Sequence, residues 1–305
     1  MTLQEMQYFV SIAKCGTLTG AAKELYLTQP TLSKFIAAQE KIIGAPLFKR
    51  VNNRYIPTYL GQRYLERAQA ILGLAHSLDL EISELLGSHV DHISLGFTAM
   101  RIALTLPDVL PVFKKMYPNV EVDITVAHSM ELEEKVLNGS LDAAFITTPA
   151  YRKDLNYEMI FNEEFLLAAP PNWKGGHHGI LTSQSRYPWV DLCTLKNEPF
   201  IYQPAMTRNR QMADKLFLQA GFLPKVVVEL ENVSACLGLV ASGYGFSFVS
   251  ESLCAVARLS DNMPQFFSVG SPPFTTSYCG IYRTNSYLSK YTRCFINLVK
   301  NGRGA

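Results

Sequence analysis

The 305-residue sequence has no CxxC pair: its six cysteines stand at 15, 193, 236, 254, 279 and 294, none beside a histidine at zinc-ligand spacing. That pattern offers neither a structural zinc motif nor a disulfide framework, and a reducing compartment is expected. The opening MTLQEMQYFV lacks a basic n-region and an apolar h-region, so no secretory signal is read there. No apolar run approaches the ~18–20 residues that span a bilayer. A soluble, cytoplasmic chain with no membrane partner is the expectation. Missing too are GxSxG, a P-loop and HExxH, so nothing nominates catalytic residues, a metal or a cofactor. Gly243-Tyr244-Gly245 is a GxG fragment, but it follows a helical stretch rather than a strand and fails the dinucleotide context. His177-His178 has no ligand-spaced partner and reads as surface loop.

Strong charge of one sign is also absent, with a net charge of +2. Taken as a mean, that argues against a basic nucleic-acid binder, but the charge is unevenly spread. Residues 1–58 hold seven Lys/Arg against three Glu, residues 59–88 hold two Arg against four acids, and residues 89–305 hold nineteen of each. A small basic segment therefore precedes a mildly acidic one and a balanced remainder. With 48% apolar and 18% charged residues the chain can bury sizeable cores, and its length suits two or three domains.

The basic segment reads as three short helices and a hairpin. Leu3, Met6, Phe9, Val10 and Ala13 recur at helical spacing before Gly16. Thr17 caps a second helix from Leu18 to about Tyr26, and Thr28 caps a third from Thr31 to about Ile43, with Pro30 tolerated in its first turn. Gly44 ends it. Pro46 to Val51 is extended, Asn52-Asn53-Arg54 turns, and Tyr55-Ile56-Pro57 returns. This is a winged helix-turn-helix pattern, in which the third helix enters the major groove and the wing follows the backbone. Candidate DNA contacts are Thr28, Gln29, Pro30, Thr31, Ser33 and Lys34 for base edges and phosphates, with Lys49, Arg50 and Arg54 for phosphates. A plain three-helix domain with a solvated polar face is the competing reading.

The run Gly16 to Leu25, then Thr28-Gln29-Pro30-Thr31-Leu32-Ser33, then Gln39 to Arg50 with its Leu47-Phe48-Lys49-Arg50 end, resembles the N-terminal motif of the LysR-type transcriptional regulators. The departures are Thr28 for Ser, Thr31 for Ala or Ser, and Gln39 for Leu; the last puts a polar group where packing is usual.

From Thr58 to Ser88 no proline intervenes. Tyr64, Ala68, Ile71, Ala75, Leu78, Ile82 and Leu85 step by four and three, a heptad seam. Its length favours a partner helix over docking on its own domain, and a homodimer is expected. The resemblance implies the same dimerising helix, a partly palindromic double-stranded DNA site, and a homotetramer as the further state.

From His89 strands and helices alternate, so the fold class is α/β with a mostly parallel sheet. A helix is expected from Met100 to Tyr117, with Pro107 and Pro111 bounding a short first turn, and the run Trp173 to Cys193 reads as a surface excursion. The resemblance implies a two-lobed effector-binding domain like periplasmic (type 2) solute-binding proteins. Expected domains are a winged helix-turn-helix at 1–58, a linker helix at 59–88, and an effector domain at 89–305, with lobe one 90–161 plus 268–305 and lobe two 162–267. Ligands of open α/β sheets bind beyond the carboxyl ends of strands. That rule, with the resemblance, nominates Thr98, Ala99, Met100, Arg101, His128, Ser129, Thr147, Thr148, Gln203, Thr207 and Asn232. Ser129 doubles as the natural N-cap of a helix at 130–137. Met100 stands where many relatives carry Ser or Thr, which makes the pocket floor more apolar. A small carboxylate or aromatic metabolite is the expected effector. An enzyme or a solute-binding protein using the same cleft is the alternative.

Overall fold

The computed structural model describes residues 2–86, 92–148, 151–175, 179–181, 183, 185–254, 262–284 and 286–302. His177-His178 and the end of the expected linker helix at Gly87 and Ser88 lie outside them.

The basic segment folds as α1 (Leu3–Cys15), α2 (Leu18–Glu24) and α3 (Gln29–Ile43), then β1 (Phe48–Val51) and β2 (Arg54–Pro57). Each start has a local cause. Thr2 and Glu5 form a reciprocal capping box on α1, and the Thr17 hydroxyl accepts from Gly20 N. α1 and α3 end at Gly16 and Gly44, whose φ of 66° and 78° suit a residue without a Cβ. α3 starts two residues earlier than the expected Thr31, because Pro30 fits the first turn and Thr28 supplies the extended N-cap backbone. Asn52 and Asn53 both adopt positive φ, so β1 and β2 close through a two-residue turn with Val51 opposite Arg54. Glu40 Oε1 accepts from Leu47 N and Phe48 N at 2.7 and 3.1 Å, which clamps the wing to α3. Gln39 is accounted for as well: it is buried and donates from Nε2 to Glu5 Oε1 at 3.2 Å, tying α3 to α1.

α4 runs Tyr59–Leu85. Its two faces differ. Gly61, Ala68, Gly73 and Ser77 are buried within the chain, and Tyr64 packs on Phe9 with ring centroids 4.4 Å apart. Ile71, Leu74, Leu78, Ile82 and Leu85 are exposed. Of the seven seam positions, Tyr64 and Ala68 are thus covered by the chain itself, Ala75 is half-buried, and the other four are open.

The remainder supplies β3 (His92–Phe97), α5 (Ala99–Met116), β4 (Glu121–Val126), α6 (Ser129–Leu137), β5 (Ala143–Thr148) and the long β6 (Leu155–Ala169). β7 (Pro199–Tyr202), α7 (Arg208–Ala220), β8 (Lys225–Glu229), α8 (Val233–Ala241), β9 (Ser247–Ser250), β10 (Gln265–Phe267), β11 (Thr275–Arg283) and α9 (Lys290–Asn301) follow. The main sheet is mixed rather than mostly parallel. Its order is β10-β6-β11-β5-β3-β4, with β9 also on β6. Only β3 pairs in parallel, with β4 and β5; every pairing made by β6 and β11 is antiparallel. The cause is the length of β6, whose ends serve two cores, so that β9, β10 and β11 return against it. β7 and β8 form a separate parallel pair.

Two local expectations are corrected. Pro107 and Pro111 lie inside α5, which is continuous. Both are exposed, as are Ala103 and Pro107 four residues before each, so water reaches the carbonyls that lose their helical donors. The stretch from Trp173 to Cys193 is not wholly a surface excursion. Trp173 packs edge-on to Phe246 and Phe267, Val190 and Leu192 are buried, and Trp189 bridges Ile180 and Ser268.

α4 docks beside β3 and β11 and on the connections before β5 and α9 through small and polar groups. A Cβ on Gly73 would lie 2.7 Å from Gly139 Cα, Ser77 Oγ accepts from Tyr287 N at 2.8 Å, and Arg283 Nη2 donates to Gly73 O at 3.5 Å. His76 Nε2 lies 3.7 Å from Asp142 Oδ1, with the His92 ring 5.7 Å away. The Asp142 carboxylate raises the His76 pKa, aided by Asp79 and opposed by burial and Arg283. The paired form is the imidazolium, so the contact contributes fully below the ordinary value of 6.5 and is lost as pH rises through the raised one. The stability lost in His76→Asn is therefore expected to be larger at pH 6 than at pH 9 by urea titration; equal losses would sink the idea.

Candidate functional site

The first surface is that of α3 and the wing. Thr28, Gln29, Pro30, Thr31, Ser33 and Lys34 are all exposed, while Leu32, Phe35, Ile36 and Gln39 carry the opposite face into the core. The Thr28 and Thr31 hydroxyls are 2.8 Å apart, so Thr28 hydrogen-bonds along the exposed face instead of to a backbone N–H. Lys49, Arg50 and Arg54 are exposed on the hairpin. Arg50 Nη2 donates to Asn53 Oδ1 at the turn and stands 6.0 Å from the Tyr55 ring. Tyr55 N donates to Gly16 O at 2.8 Å, which fixes the wing against the α1–α2 turn. A residue not singled out in sequence is Tyr26, which is 96% exposed with φ of 55° between α2 and α3. Helical spacing places it at the end of α2, and nothing in an unpatterned tyrosine signals a left-handed turn.

The second site is a cavity of about 120 Å³ where strand ends meet helix starts. Nine of the eleven expected residues line it: Thr98, Ala99, Met100, Arg101, His128, Ser129, Thr147, Gln203 and Thr207. Thr148 and Asn232 do not. Thr148 is buried at the end of β5, and the Asn232 side chain is committed to capping α8 by accepting from Ala235 N at 3.0 Å. Arg208, Asn209, Glu231, Val233, Ser250 and Leu253 complete the lining. Ser250 ends β9 and Leu253 follows it, a strand end left out of the sequence reading.

Four helices start at this cavity, and their starts differ. Thr207 Oγ1 accepts from Arg210 N and donates to Pro204 O, so α7 is capped by its own chain, as α8 is by Asn232. α5 and α6 have no side-chain cap. The N-cap of α6 is His128, not Ser129, because Ser129 already has helical backbone and is buried as the first helical residue. First-turn N–H groups of α5 and α6 are therefore donors without side-chain partners, at the positive end of each helix dipole. Two buried side-chain donors add to them: Gln203 Nε2 and Arg208 Nε have no hydrogen-bond partner.

The arginines in the wall are neutralised within the chain. Arg101, 2% exposed, donates to Glu163, Ser252 and, at 3.1 Å, Thr147 Oγ1. Arg208 Nη2 donates to Glu133 at 2.5 Å, and His128 Nε2 lies 3.3 Å from Glu231. Arg210, outside the lining, pairs with Asp214 and stands 4.3 Å from the Tyr202 ring. Burial pushes the thiols of Cys236 and Cys279 up to about 11 and that of Cys254 up to about 12, which leaves them protonated and unreactive at neutral pH. Among the described residues no group of three or more His, Cys, Asp or Glu is placed to hold a metal, and no helix is long and apolar enough to cross a membrane.

Known proteins match both parts of the chain. Residues 3–62 match the bacterial regulatory helix-turn-helix protein, lysR family, and residues 87–303 match the LysR substrate binding domain. The chain is 28% identical over 251 residues to the uncharacterized HTH-type transcriptional regulator YybE of Bacillus subtilis (strain 168), covering 82% of this chain and 83% of that one. A full-length OxyR from Pseudomonas aeruginosa shares the fold with a TM-score of 0.71 at 20% identity, over 99% of this chain and 94% of that one. Full-length CbnR in complex with its target DNA gives 0.61 at 23% identity, over 99% and 100%. The chain belongs to the LysR family and is a DNA-binding transcriptional regulator with an effector-binding domain.

Proposed function

We propose that the regulator is switched by a small carboxylate with an apolar body, such as an aromatic acid, bound in the cavity between α5, α6 and α7. The carrying observation is the set of unpartnered donors there: the uncapped starts of α5 and α6, Gln203 Nε2 and Arg208 Nε. Such donors suit one anionic group. Met100, Val233 and Leu253 give the same cavity apolar walls. The polar residues from Thr98 to Thr207 in that wall are the proposed contacts. Because each wall arginine already has a carboxylate beside it, a monoanion is favoured over a polyanion.

In this reading α3 reads base edges from the major groove and Lys49, Arg50 and Arg54 hold phosphates. Residues 59–88 join two chains, residues 89–305 sense the effector, and the dimer or a tetramer of it sits on a partly palindromic cytoplasmic DNA site. Two measurements test it. A carboxylate that binds is expected to raise the melting temperature while its amide does not; at a hundredfold excess over Kd the gain is about 2.7 kcal/mol. In a gel shift on the protein's own upstream DNA, Arg50→Ala is expected to weaken binding to all sequences alike and lower the salt slope by about one per chain, about two for the dimer. Identical salt slopes for Arg50→Ala and wild type would remove Arg50 from the phosphate contacts.

A further inference from the structure

The ion pair between Arg208 and Glu133 crosses the cleft. Arg208 is the first residue of α7, whose buried face packs with β6, β7 and β9. Glu133 sits on α6, whose buried face packs with β5 and β11. The two side chains are 15% and 6% exposed and meet at 2.5 Å. A second contact runs beside it, Gln211 Nε2 to Met130 Sδ at 3.3 Å.

Arg208 is only partly used. Its Nη1 donates to Gln211 Oε1 at 3.0 Å and its Nη2 to Glu133, while Nε is buried without a partner and the residue lines the cavity. The Nε–Nη2 edge of a guanidinium is one that grips a carboxylate with two parallel hydrogen bonds. Here Nη2 is held by Glu133 and Nε is buried and unpartnered. A second carboxylate placed on the edge would lie against Glu133, and two like charges in a desolvated site repel strongly. One of them must leave. Glu133 has another cation within electrostatic reach: it acts on Arg152, which pairs with Glu134 at 2.5 Å.

Building on the carboxylate reading of the cleft, we propose that Arg208 anchors the effector and that Glu133 is its resident competitor. Glu133 occupies the anchor and ties α6 to α7 until the effector carboxylate displaces it. Binding then exchanges a contact across the cleft for a contact to the ligand, and this exchange couples occupancy to the fit between the two halves.

The test uses the full chain with acetate, pyruvate and benzoate as probes and acetamide and benzamide as neutral counterparts, read by thermal shift against concentration. Glu133→Gln removes the competing charge at constant shape. It is expected to respond to at least one of the three carboxylates at about tenfold lower concentration than wild type, with no matching gain for the amides. Arg208→Gln is expected to respond to none of them. Far-UV circular dichroism checks each variant. If Glu133→Gln is unfolded, Glu133→Asp, which retracts the carboxylate by one methylene, is expected to shift the response in the same direction. Equal half-response concentrations in wild type and the folded Glu133 variant, or an undiminished response in Arg208→Gln, overturn the exchange and leave the carboxylate reading standing. Silence of all three carboxylates in wild type and in the Glu133 variant overturns that reading and the inference with it.

Discussion

The double substitution Leu78→Glu with Ile82→Glu is expected to leave each chain folded, to abolish the dimer, and to weaken binding to a two-half-site DNA by about a hundredfold or more. The reason lies in what α4 leaves uncovered. Its 27 residues make a rod of about 40 Å. One side is spent within the chain, where Gly61, Ala68, Gly73 and Ser77 are buried. The other presents Ile71, Leu74, Leu78, Ile82 and Leu85, from 38% to 79% exposed and three or four residues apart. A contiguous apolar stripe of that length marks an interaction surface, and the spacing suits a second helix. Burying each large aliphatic side chain contributes about 1.5–3 kcal/mol, and the double substitution removes two from each chain. It also opposes four like charges across the seam. Loss of the dimer removes the gain from engaging two half-sites at once. Sedimentation equilibrium and a gel shift on the two-half-site DNA check the result, with Leu223→Glu as the control because that leucine is 89% exposed and off the stripe. A double variant that still sediments as a dimer and still binds with wild-type affinity would refute the seam.

How much of this was legible in the sequence depends on range. Helix ends were readable because their causes are local: Gly16, Gly44 and Gly221 stop helices with positive φ, and Thr17 caps the next. Nine of the nominated residues fall on the cavity because the rule of strand ends is topological, and the family resemblance pointed to the same loops. Applied to β9 as well, that rule would have reached Ser250 and Leu253. Sheet direction was not readable. Alternating strands and helices suggested parallel pairing, but the return of β9, β10 and β11 onto a fifteen-residue β6 is decided by two cores sharing one strand. The charge pairs were equally hidden. Arg208 finds Glu133 across 75 residues, and Arg101 finds Glu163 across 62. Neither partner carries a local pattern. From sequence Arg101 is nominated only as a residue of the cleft, and the structure adds that an acid of its own chain holds it.

That second pair carries the other large effect. Glu163→Ala is expected to cost about 3–5 kcal/mol of folding stability, because it strands a buried guanidinium. Both side chains are 3% exposed. Glu163 also accepts from Ser252 N at 2.9 Å through its other oxygen, so the carboxylate joins α5 to the segment after β9. Arg101 lies over the Tyr278 ring at 4.5 Å and near Phe161 at 5.6 Å, and these faces favour the cation without replacing a counter-charge. Removing charge from one side only leaves the full desolvation cost in place. Removing both, as in Arg101→Met with Glu163→Leu, is expected to be milder than Glu163→Ala alone, since apolar groups of similar size need no partner. Urea denaturation of Arg101→Met, Glu163→Leu and their double gives the coupling energy directly. Near-additive losses would mean that the pair is solvated after all, and Arg101 would then return as a candidate for direct contact with the effector. Strong coupling instead makes Arg101 a fixed part of the wall, and leaves Arg208, with its unpartnered Nε, as the proposed anchor of the ligand.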